Sequence, residues 1–173
     1  MNKKQKGFSL IELLIVVAII LIIAAIAIPN LLRARMAANE SSAVGSVRTL
    51  VTSQVTYQST WGVGFANGLA FLGTPVGGCP AGGATAAQAC LIDPVLTSGI
   101  KTGYNLTTAA AGGAGTAASP FTTFGASAAP IVIGSTGQRS FCSDETGVIH
   151  FDPTGATAAP TDAACEAVAT ILQ

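Results

Sequence analysis

The sequence is poor in charge and in aromatic residues. Its 173 residues carry a formal net charge of zero, and only 9% of them are Asp, Glu, Lys or Arg. Aromatic residues make up 6%, with a single Trp and a single His. This composition lacks the strong basic excess of a nucleic-acid-binding protein. The four cysteines include no Cys-x-x-Cys or Cys-x-x-Cys-His pattern, which argues against a zinc site and against covalent haem.

The sequence begins with a short basic segment, which is followed by a long apolar run. Lys3, Lys4 and Lys6 precede residues 8–28, and Glu12 is the one charged residue inside that run. About 20 apolar residues are enough to cross a bilayer as a helix. The lysines place the N-terminus in the cytoplasm and the rest of the chain outside. A carboxylate in such a helix costs up to about 2.5–3.5 kcal/mol, so Glu12 predicts a function.

The sequence around the start of this run resembles the class III signal of type IV pilins and pseudopilins. Gly7 is followed by Phe-Ser-Leu-Ile and then Glu12. The resemblance implies that a membrane peptidase cuts between Gly7 and Phe8 and methylates the new N-terminus at Phe8. Glu12 then becomes the fifth residue of the mature chain, the position of the family's assembly glutamate.

Pro29 extends the resemblance, because many pilins have a helix-kinking proline at this distance from the cut. Two other family features are absent. Thr49 stands where a second proline is frequent, and Leu21 stands where the apolar run often has a glycine. The motif match covers about the first thirty residues, and beyond them the resemblance is one of architecture.

The proposed cut has a physical consequence for Glu12. An ordinary secretory signal is cut after its apolar core, whereas this cut leaves the core on the product. It also creates an α-ammonium group at Phe8, with which the Glu12 carboxylate of a neighbouring subunit can pair. Removing one partner of a buried pair typically costs about 3–5 kcal/mol, so the pair would set the register between subunits. The alternative is a plain single-pass anchor in which Glu12 reaches the membrane surface.

The apolar run continues into a one-sided pattern, which predicts one long helix over residues 8–59. Pro29 interrupts its hydrogen bonds without ending it, and Gly62 is a candidate C-terminal cap. A stripe at helical spacing is expected to carry the head: Ala37, Val44, Val47, Val51 and Val55. Polar residues, Glu40 and Gln54 among them, are expected on other faces. The predicted segments are a leader (1–7), a membrane or filament-core helix (8–30), an amphipathic helix (31–61) and a globular head (62–173).

Within the head, only the C-terminal part has clear strand patterns. Residues 65–98 contain many Pro and Gly residues, which predicts loops. Residues 107–129 are low-complexity Ala, Gly, Thr and Ser, and are expected to bury little apolar surface. Residues 131–133, 139–143 and 147–151 are rich in β-forming residues and predict an antiparallel meander, with a hairpin turn at residues 144–147. The predicted fold is α+β and pilin-like, a long helix packed on a small antiparallel sheet.

Four cysteines in an exported domain predict two disulfides. Cys79, Cys90, Cys142 and Cys165 can pair in three ways, and we favour Cys79–Cys90 with Cys142–Cys165 because these pairs are local in sequence. The resemblance implies that the second bond clamps the C-terminal segment, as in many pilins. Four buried free thiols are the alternative, which would fit a reducing compartment.

No catalytic, cofactor-binding or metal-binding residues are predicted. Ser140, Asp144 and His150 lie near one another in sequence but form no nucleophile motif. Calcium binding by acidic side chains of the hairpin, Asp144, Glu145 and Asp152, is an alternative without an EF-hand spacing. Asn39 and Asn105 begin short patterns for N-glycosylation.

The sequence therefore predicts a structural subunit and not an enzyme. The resemblance implies a precursor in the inner membrane, with its head outside the cytoplasm, that polymerises into an extracellular pilus for adhesion, twitching motility or DNA uptake. The implied partners are other copies of the chain, the prepilin peptidase, an assembly ATPase with its inner-membrane platform, and an outer-membrane secretin. The alternatives are a pseudopilin of a type II secretion system and a membrane-anchored binding module that does not polymerise.

Overall fold

A long N-terminal helix begins the structure. The computed structural model describes residues 8–75, 77–156, 165 and 167. Helix α1 spans Leu10–Trp61, close to the predicted residues 8–59. Gly62 follows it with a φ of 65°, and its N–H donates to the Gln58 carbonyl at 3.1 Å. The predicted glycine cap is therefore confirmed, because a left-handed residue at this position is what glycine permits.

The chain divides into two units, one ending at Arg35 and the other beginning at Met36. The first unit contains the N-terminal part of α1. The second, called the head here, contains the rest of α1 and all other described elements: α2 (Leu69–Leu72), α3 (Pro94–Thr97), β1 (Ile100–Lys101), β2 (Tyr104–Ala111), β3 (Thr123–Pro130), β4 (Ser140–Asp144) and β5 (Ile149–Asp152).

The five strands form one sheet in the order of the sequence, and each pairs antiparallel with the next. The predicted α+β fold with an antiparallel meander is confirmed. β4 and β5 are joined by the predicted hairpin. In it the Gly147 N–H donates to the Asp144 carbonyl at 3.1 Å, and Gly147 has a φ of 74°.

The low-complexity stretch is buried in part, which its composition did not predict, although residues 111–114 and 116–119 are exposed. Residues 107–129 contain most of β2 and β3, and every residue of β3 from Phe124 to Pro130 is buried. β3 pairs with β2 along eight residues and with β4 along four. A strand between two others satisfies its backbone through its neighbours, and Ala126 and Ala128 are small enough for close packing in the core. Composition describes a segment by itself and misses this context.

The prediction of a strand at residues 131–133 is wrong. β3 ends at Pro130, and the next three residues form an exposed tip between β3 and β4. The other two predicted strands are found with shifted ends, as β4 and β5.

The buried face of α1 also differs from the predicted stripe. Val47 is buried, but Ala37 and Val55 are exposed and Val44 and Val51 are only partly buried. The face that packs into the head consists of Glu40, Ala43, Ser46, Val47, Leu50, Ser53, Gln54 and Tyr57. These positions follow the three- and four-residue spacing of a helix face, although half of the residues are polar.

Gln54 shows why a polar residue is tolerated on this face. Its side chain is fully buried, and its Oε1 accepts the Ala66 N–H at 2.7 Å. Its Nε2 donates to the Ala66 carbonyl at 2.8 Å and to Thr108 Oγ1 at 3.0 Å. A buried amide with partners of this kind stabilises the packing, because the backbone groups of Ala66 would otherwise be unpaired. Apolar periodicity alone cannot identify such a residue.

Candidate assembly site

The first turn of α1 contains the glutamate that the sequence singled out. Glu12 lies in the first turn, and its Oε2 accepts the backbone N–H of Ser9 at 2.9 Å. A helix leaves its first N–H groups without partners, and a glutamate three residues past the cap residue can satisfy one of them. The Ser9-x-x-Glu12 pattern was a readable signal of this contact, which the sequence analysis overlooked. Phe8, one residue earlier, is exposed, and Gly7 lies outside the described residues.

The apolar side chains that follow Glu12 lie on the surface of the first unit. All large apolar residues from Phe8 to Leu32 are between 44% and 80% exposed. Within the described residues, α1 is the one helix that is long and apolar enough to cross a membrane. A surface of this size does not stay in water in a folded soluble protein, so lipid or other protein must cover it.

Pro29 lies inside α1. Its ring nitrogen carries no hydrogen, so the helix lacks one hydrogen bond at this point. The helix nevertheless continues for more than thirty residues to Trp61. A kink at Pro29 remains a prediction.

An ion pair joins distant parts of the chain in the described residues of the head, and no sequence pattern marks it. Arg139, just before β4, donates to Glu40 of α1 from Nε at 2.9 Å and from Nη2 at 2.7 Å. The other oxygen of Glu40 accepts the backbone N–H groups of Gln138 at 2.9 Å and Arg139 at 3.2 Å. The Arg139 guanidinium also lies 5.6 Å from the ring of Phe141. No local pattern marks two residues that are 99 positions apart.

These contacts change the ionisation of two side chains. Burial by itself raises the pKa of Glu40, but hydrogen bonds from Gln138 and Arg139 and the charge of Arg139 outweigh it. The net result is a pKa below the ordinary 4.5. Burial, with a smaller contribution from Glu40, raises the pKa of Tyr104 to about 12. The Tyr104 hydroxyl therefore stays protonated and donates to the Arg139 carbonyl at 2.8 Å.

We predict that Glu40→Ala destabilises the head by about 2–3 kcal/mol, because it removes a charged acceptor from two backbone amides and a guanidinium. The cost is below that of a fully buried pair, since the Arg139 side chain is 38% exposed. The thermal unfolding midpoint of the full chain in detergent measures it. Glu145→Ala, in the exposed hairpin, is the matched control and should stay within about 0.5 kcal/mol of wild type.

The direction in which the stability of the head changes with pH gives a second test of the contact between Glu40 and Arg139. The folded-state pKa of Glu40 is lowered, so its contribution is fully present above the unfolded pKa and is lost as pH falls through the folded pKa. The difference in unfolding free energy between wild type and Glu40→Ala should therefore be constant near neutral pH and become smaller below about pH 4. A difference that grows on acidification would contradict the ion pair.

Two disulfides join the four cysteines. Cys79 is bonded to Cys90 and Cys142 to Cys165, the pairing favoured from the sequence. The two bonds differ in their surroundings. Cys142 and Cys165 are both almost completely buried, whereas Cys79 is exposed and Cys90 partly buried.

The acidic and hydroxyl side chains that the sequence offered for calcium binding or catalysis do not form one site in the described residues. Asp144 and Asp152 each accept hydrogen bonds from a threonine two residues further on, Thr146 and Thr154. In the described part of the chain, no group of three or more His, Cys, Asp or Glu side chains is close enough to hold a metal ion. The Ser140 hydroxyl donates to the Ala156 carbonyl at 2.6 Å.

The first glycosylation pattern begins with an engaged side chain. The Nδ2 of Asn39, the nitrogen that a glycan would modify, donates to the Thr136 carbonyl at 2.8 Å. A glycan at Asn39 would have to displace this contact.

Comparison with known proteins gives matches to part of the chain. The family model for the prokaryotic N-terminal methylation motif matches residues 2–28. The type IV wide pilus major component PilA4 of Thermus thermophilus is 52% identical over 56 residues, 32% of this chain and 43% of that protein. The type IV major pilin protein PilA of Myxococcus xanthus is 47% identical over 58 residues, 34% of this chain and 26% of that protein. No solved structure matches the chain.

The chain thus carries the prepilin methylation motif on an α+β architecture of the pilin type, a long N-terminal helix followed by an antiparallel sheet. About a third of the chain is homologous to the type IV pilins PilA4 and PilA. The chain spans less than half the length of these two relatives.

Proposed function

We propose that this chain is a structural, non-enzymatic subunit of a type IV pilus. It is made as a precursor in the inner membrane with its head outside the cytoplasm. The prepilin peptidase removes residues 1–7 between Gly7 and Phe8, and Phe8 is methylated. Residues 8–30 then leave the lipid and form the core of an extracellular helical filament.

One observation carries the proposal. The methylation motif, which matches residues 2–28, overlaps the segment whose large apolar side chains are all exposed, and the chain is similar to two proteins named as major pilins. Exposed apolar side chains are expected on a surface that is covered first by lipid and later by identical helices, because both environments shield apolar groups from water. Glu12, at the start of this segment, supplies the one charge for pairing with the Phe8 ammonium of a neighbour.

The remaining parts of the chain follow from this arrangement. Residues 31–61 are the amphipathic part of the long helix, which continues into the head, and residues 62–173 are assigned to the head. Export of the head agrees with two disulfides, which persist in oxidising compartments. An assembly ATPase, its membrane platform and an outer-membrane secretin are the proposed machinery, and adhesion, twitching motility or DNA uptake is the proposed use of the filament.

A pseudopilin of a type II secretion system is the second candidate, because it shares the same N-terminal signal. Two observations favour the pilus. Both relatives are named as major pilus components, and the head has a buried disulfide, Cys142–Cys165, near its C-terminus. A short secretion filament would stay within the cell envelope, so location separates the two.

N-terminal mass spectrometry of filaments sheared from cells tests the proposal. We expect the chain in the sheared fraction, beginning at a methylated Phe8. The membrane fraction should contain the same mature form, together with some uncut precursor.

Two other results would reject parts of the proposal. A cleaved and methylated chain found only in membranes would reject the surface pilus in favour of a pseudopilin. An N-terminus at Met1 or Asn2 in every fraction would reject leader processing and the filament with it.

A further inference from the structure

We propose that the head touches the membrane through an apolar tip, the side chains of Ile131, Val132 and Ile133, while the chain is anchored as a precursor. The occupant is the lipid of the headgroup and upper acyl region. The inference rests on the membrane anchoring in the proposed function and adds a second lipid contact, in the head.

The tip is an unusual surface for a small head. Its three consecutive β-branched side chains are 51%, 52% and 53% exposed. Ile100 of β1 is also exposed, and it lines a shallow hollow of about 390 Å³ together with Pro130 and Ile131. Single exposed apolar residues are ordinary, but a contiguous group at one end of a sheet marks a contact surface.

The backbone beneath the tip is already hydrogen-bonded. The N–H of Ile131 donates to the Gly103 carbonyl at 3.0 Å, and those of Ser135 and Thr136 donate to the Val132 carbonyl at 3.2 and 2.9 Å. The N–H of Val132 donates to Thr136 Oγ1 at 3.1 Å. Lipid offers no partner for a backbone amide, so a loop that enters it must satisfy its amides internally. The amides of Ile131, Val132, Ser135 and Thr136 have such partners within the head, while the apolar side chains of the tip are exposed.

The tip lies where the chain enters the head. The loop is attached to α1 through the Asn39 Nδ2, which donates to the Thr136 carbonyl at 2.8 Å, and through the Glu40 contacts with Gln138 and Arg139. Asn39 lies seven positions after Leu32, the last of the exposed large apolar residues that begin at Phe8. At about 3.6 Å per residue, Asn39 is never more than about 25 Å from the lipid around Leu32.

The size and charge of the surface favour lipid over a second subunit. A stable protein interface buries about 1,200–2,000 Å², more than three half-exposed side chains can supply. A small patch suffices on a chain that is already anchored, because the anchor raises the local concentration of lipid. Lys101, the last residue of β1, adds a positive charge next to the exposed Ile100 and can meet anionic headgroups. Nearby Glu40 is paired with Arg139.

Fluorescence quenching by brominated lipid tests the proposal in the full chain. Val132→Trp places a fluorophore in the tip, and the sole native tryptophan, Trp61, is subtracted with wild type. The matched control is Val148→Trp, also exposed, in the hairpin at the other end of β4. Each protein is reconstituted at low density in vesicles of zwitterionic and anionic lipids that carry bromine on the upper acyl chain. Vesicle flotation verifies anchoring.

We expect the added emission of Val132→Trp to shift to the blue and to be quenched, and that of Val148→Trp to change little. Ile133→Trp should behave like Val132→Trp, which guards against a folding defect in one variant. Flotation without quenching in either tip variant would overturn the inference and leave the anchor intact. Protection of the tip in filaments but not in vesicles would mean that a second copy covers it. A chain that fails to float would reject the anchoring and this inference together.

Discussion

Replacing Glu12 by alanine is expected to reduce filament yield by on the order of a hundredfold or more, because each subunit loses one partner of a buried pair. Cleavage between Gly7 and Phe8 should remain normal. The measurement combines the amount of sheared filament with the N-terminal mass of the chain in the membrane fraction. Loss of filaments with intact processing assigns Glu12 to assembly and not to recognition by the peptidase.

The physical reason lies in the surroundings of the carboxylate. Glu12 is surrounded in sequence by apolar residues that lipid or neighbouring helices cover. A carboxylate there costs up to about 2.5–3.5 kcal/mol unless it has a partner. Its hydrogen bond from the Ser9 amide occupies one oxygen and leaves lone pairs for a second donor. The Phe8 ammonium of another subunit is the donor that we propose.

Glu12→Gln separates the charge from the hydrogen bond. Glutamine can still accept the Ser9 N–H through its amide oxygen, but it carries no charge. If assembly depends on pairing with an ammonium, Glu12→Gln should lose filaments nearly as severely as Glu12→Ala. If the contact with Ser9 at the start of α1 is what matters, Glu12→Gln should resemble wild type. Wild-type yield from Glu12→Ala would contradict any assembly role for this residue.

The long helix and its end could be predicted because their signals are local. An apolar run without breakers, followed by one-sided periodicity, indicates a helix, and Gly62 marks its end. The hairpin around Gly147 was predictable for the same reason. In each case the deciding residues lie within a few positions of one another.

The central strand β3 could not be predicted, because its strand character depends on its neighbours. Ala126, Ser127 and Ala128 have little strand preference, yet β2 and β4 satisfy their backbone on both sides. For the tip the prediction failed in the opposite direction, because a strand was predicted where the structure has none. Ile131, Val132 and Ile133 have high strand preference, but no strand lies beside them in the sheet. Local preference fails where pairing decides the structure.

The residues of the candidate site also include some that the sequence could identify and some that it could not. Glu12 was visible because a charge in an apolar run stands out, and Ser9 could have been found from the capping pattern. The contact of Glu40 with Arg139 could not have been found, because it joins residues 99 positions apart. A polar residue on a helix face normally predicts exposure. Here Glu40 is buried because it accepts the backbone amides of Gln138 and Arg139. Gln54 is buried because it is bonded to the backbone of Ala66, twelve residues further on.

Removal of the Cys142–Cys165 disulfide is expected to destabilise the head by about 3.4 kcal/mol, the loop-closure value for its separation of 23 residues. Both sulfurs are buried, so the double variant Cys142→Ala, Cys165→Ala also loses packing. A head of this size should then unfold about 10 °C lower. The unfolding midpoint of the full chain in detergent, without reductant, measures the change.

The double variant Cys79→Ala, Cys90→Ala is the matched control. Its separation of 11 residues gives about 2.8 kcal/mol from loop closure, and Cys79 is exposed, so little packing is lost with it. The buried bond should therefore be the more important of the two, by a margin larger than loop length alone explains. A difference in unfolding free energy of only about 0.6 kcal/mol, as loop closure alone gives, would mean that chain entropy dominates and burial of Cys142 adds nothing. A smaller loss of stability for Cys142–Cys165 would contradict the clamp role that the resemblance to pilins implies for this bond.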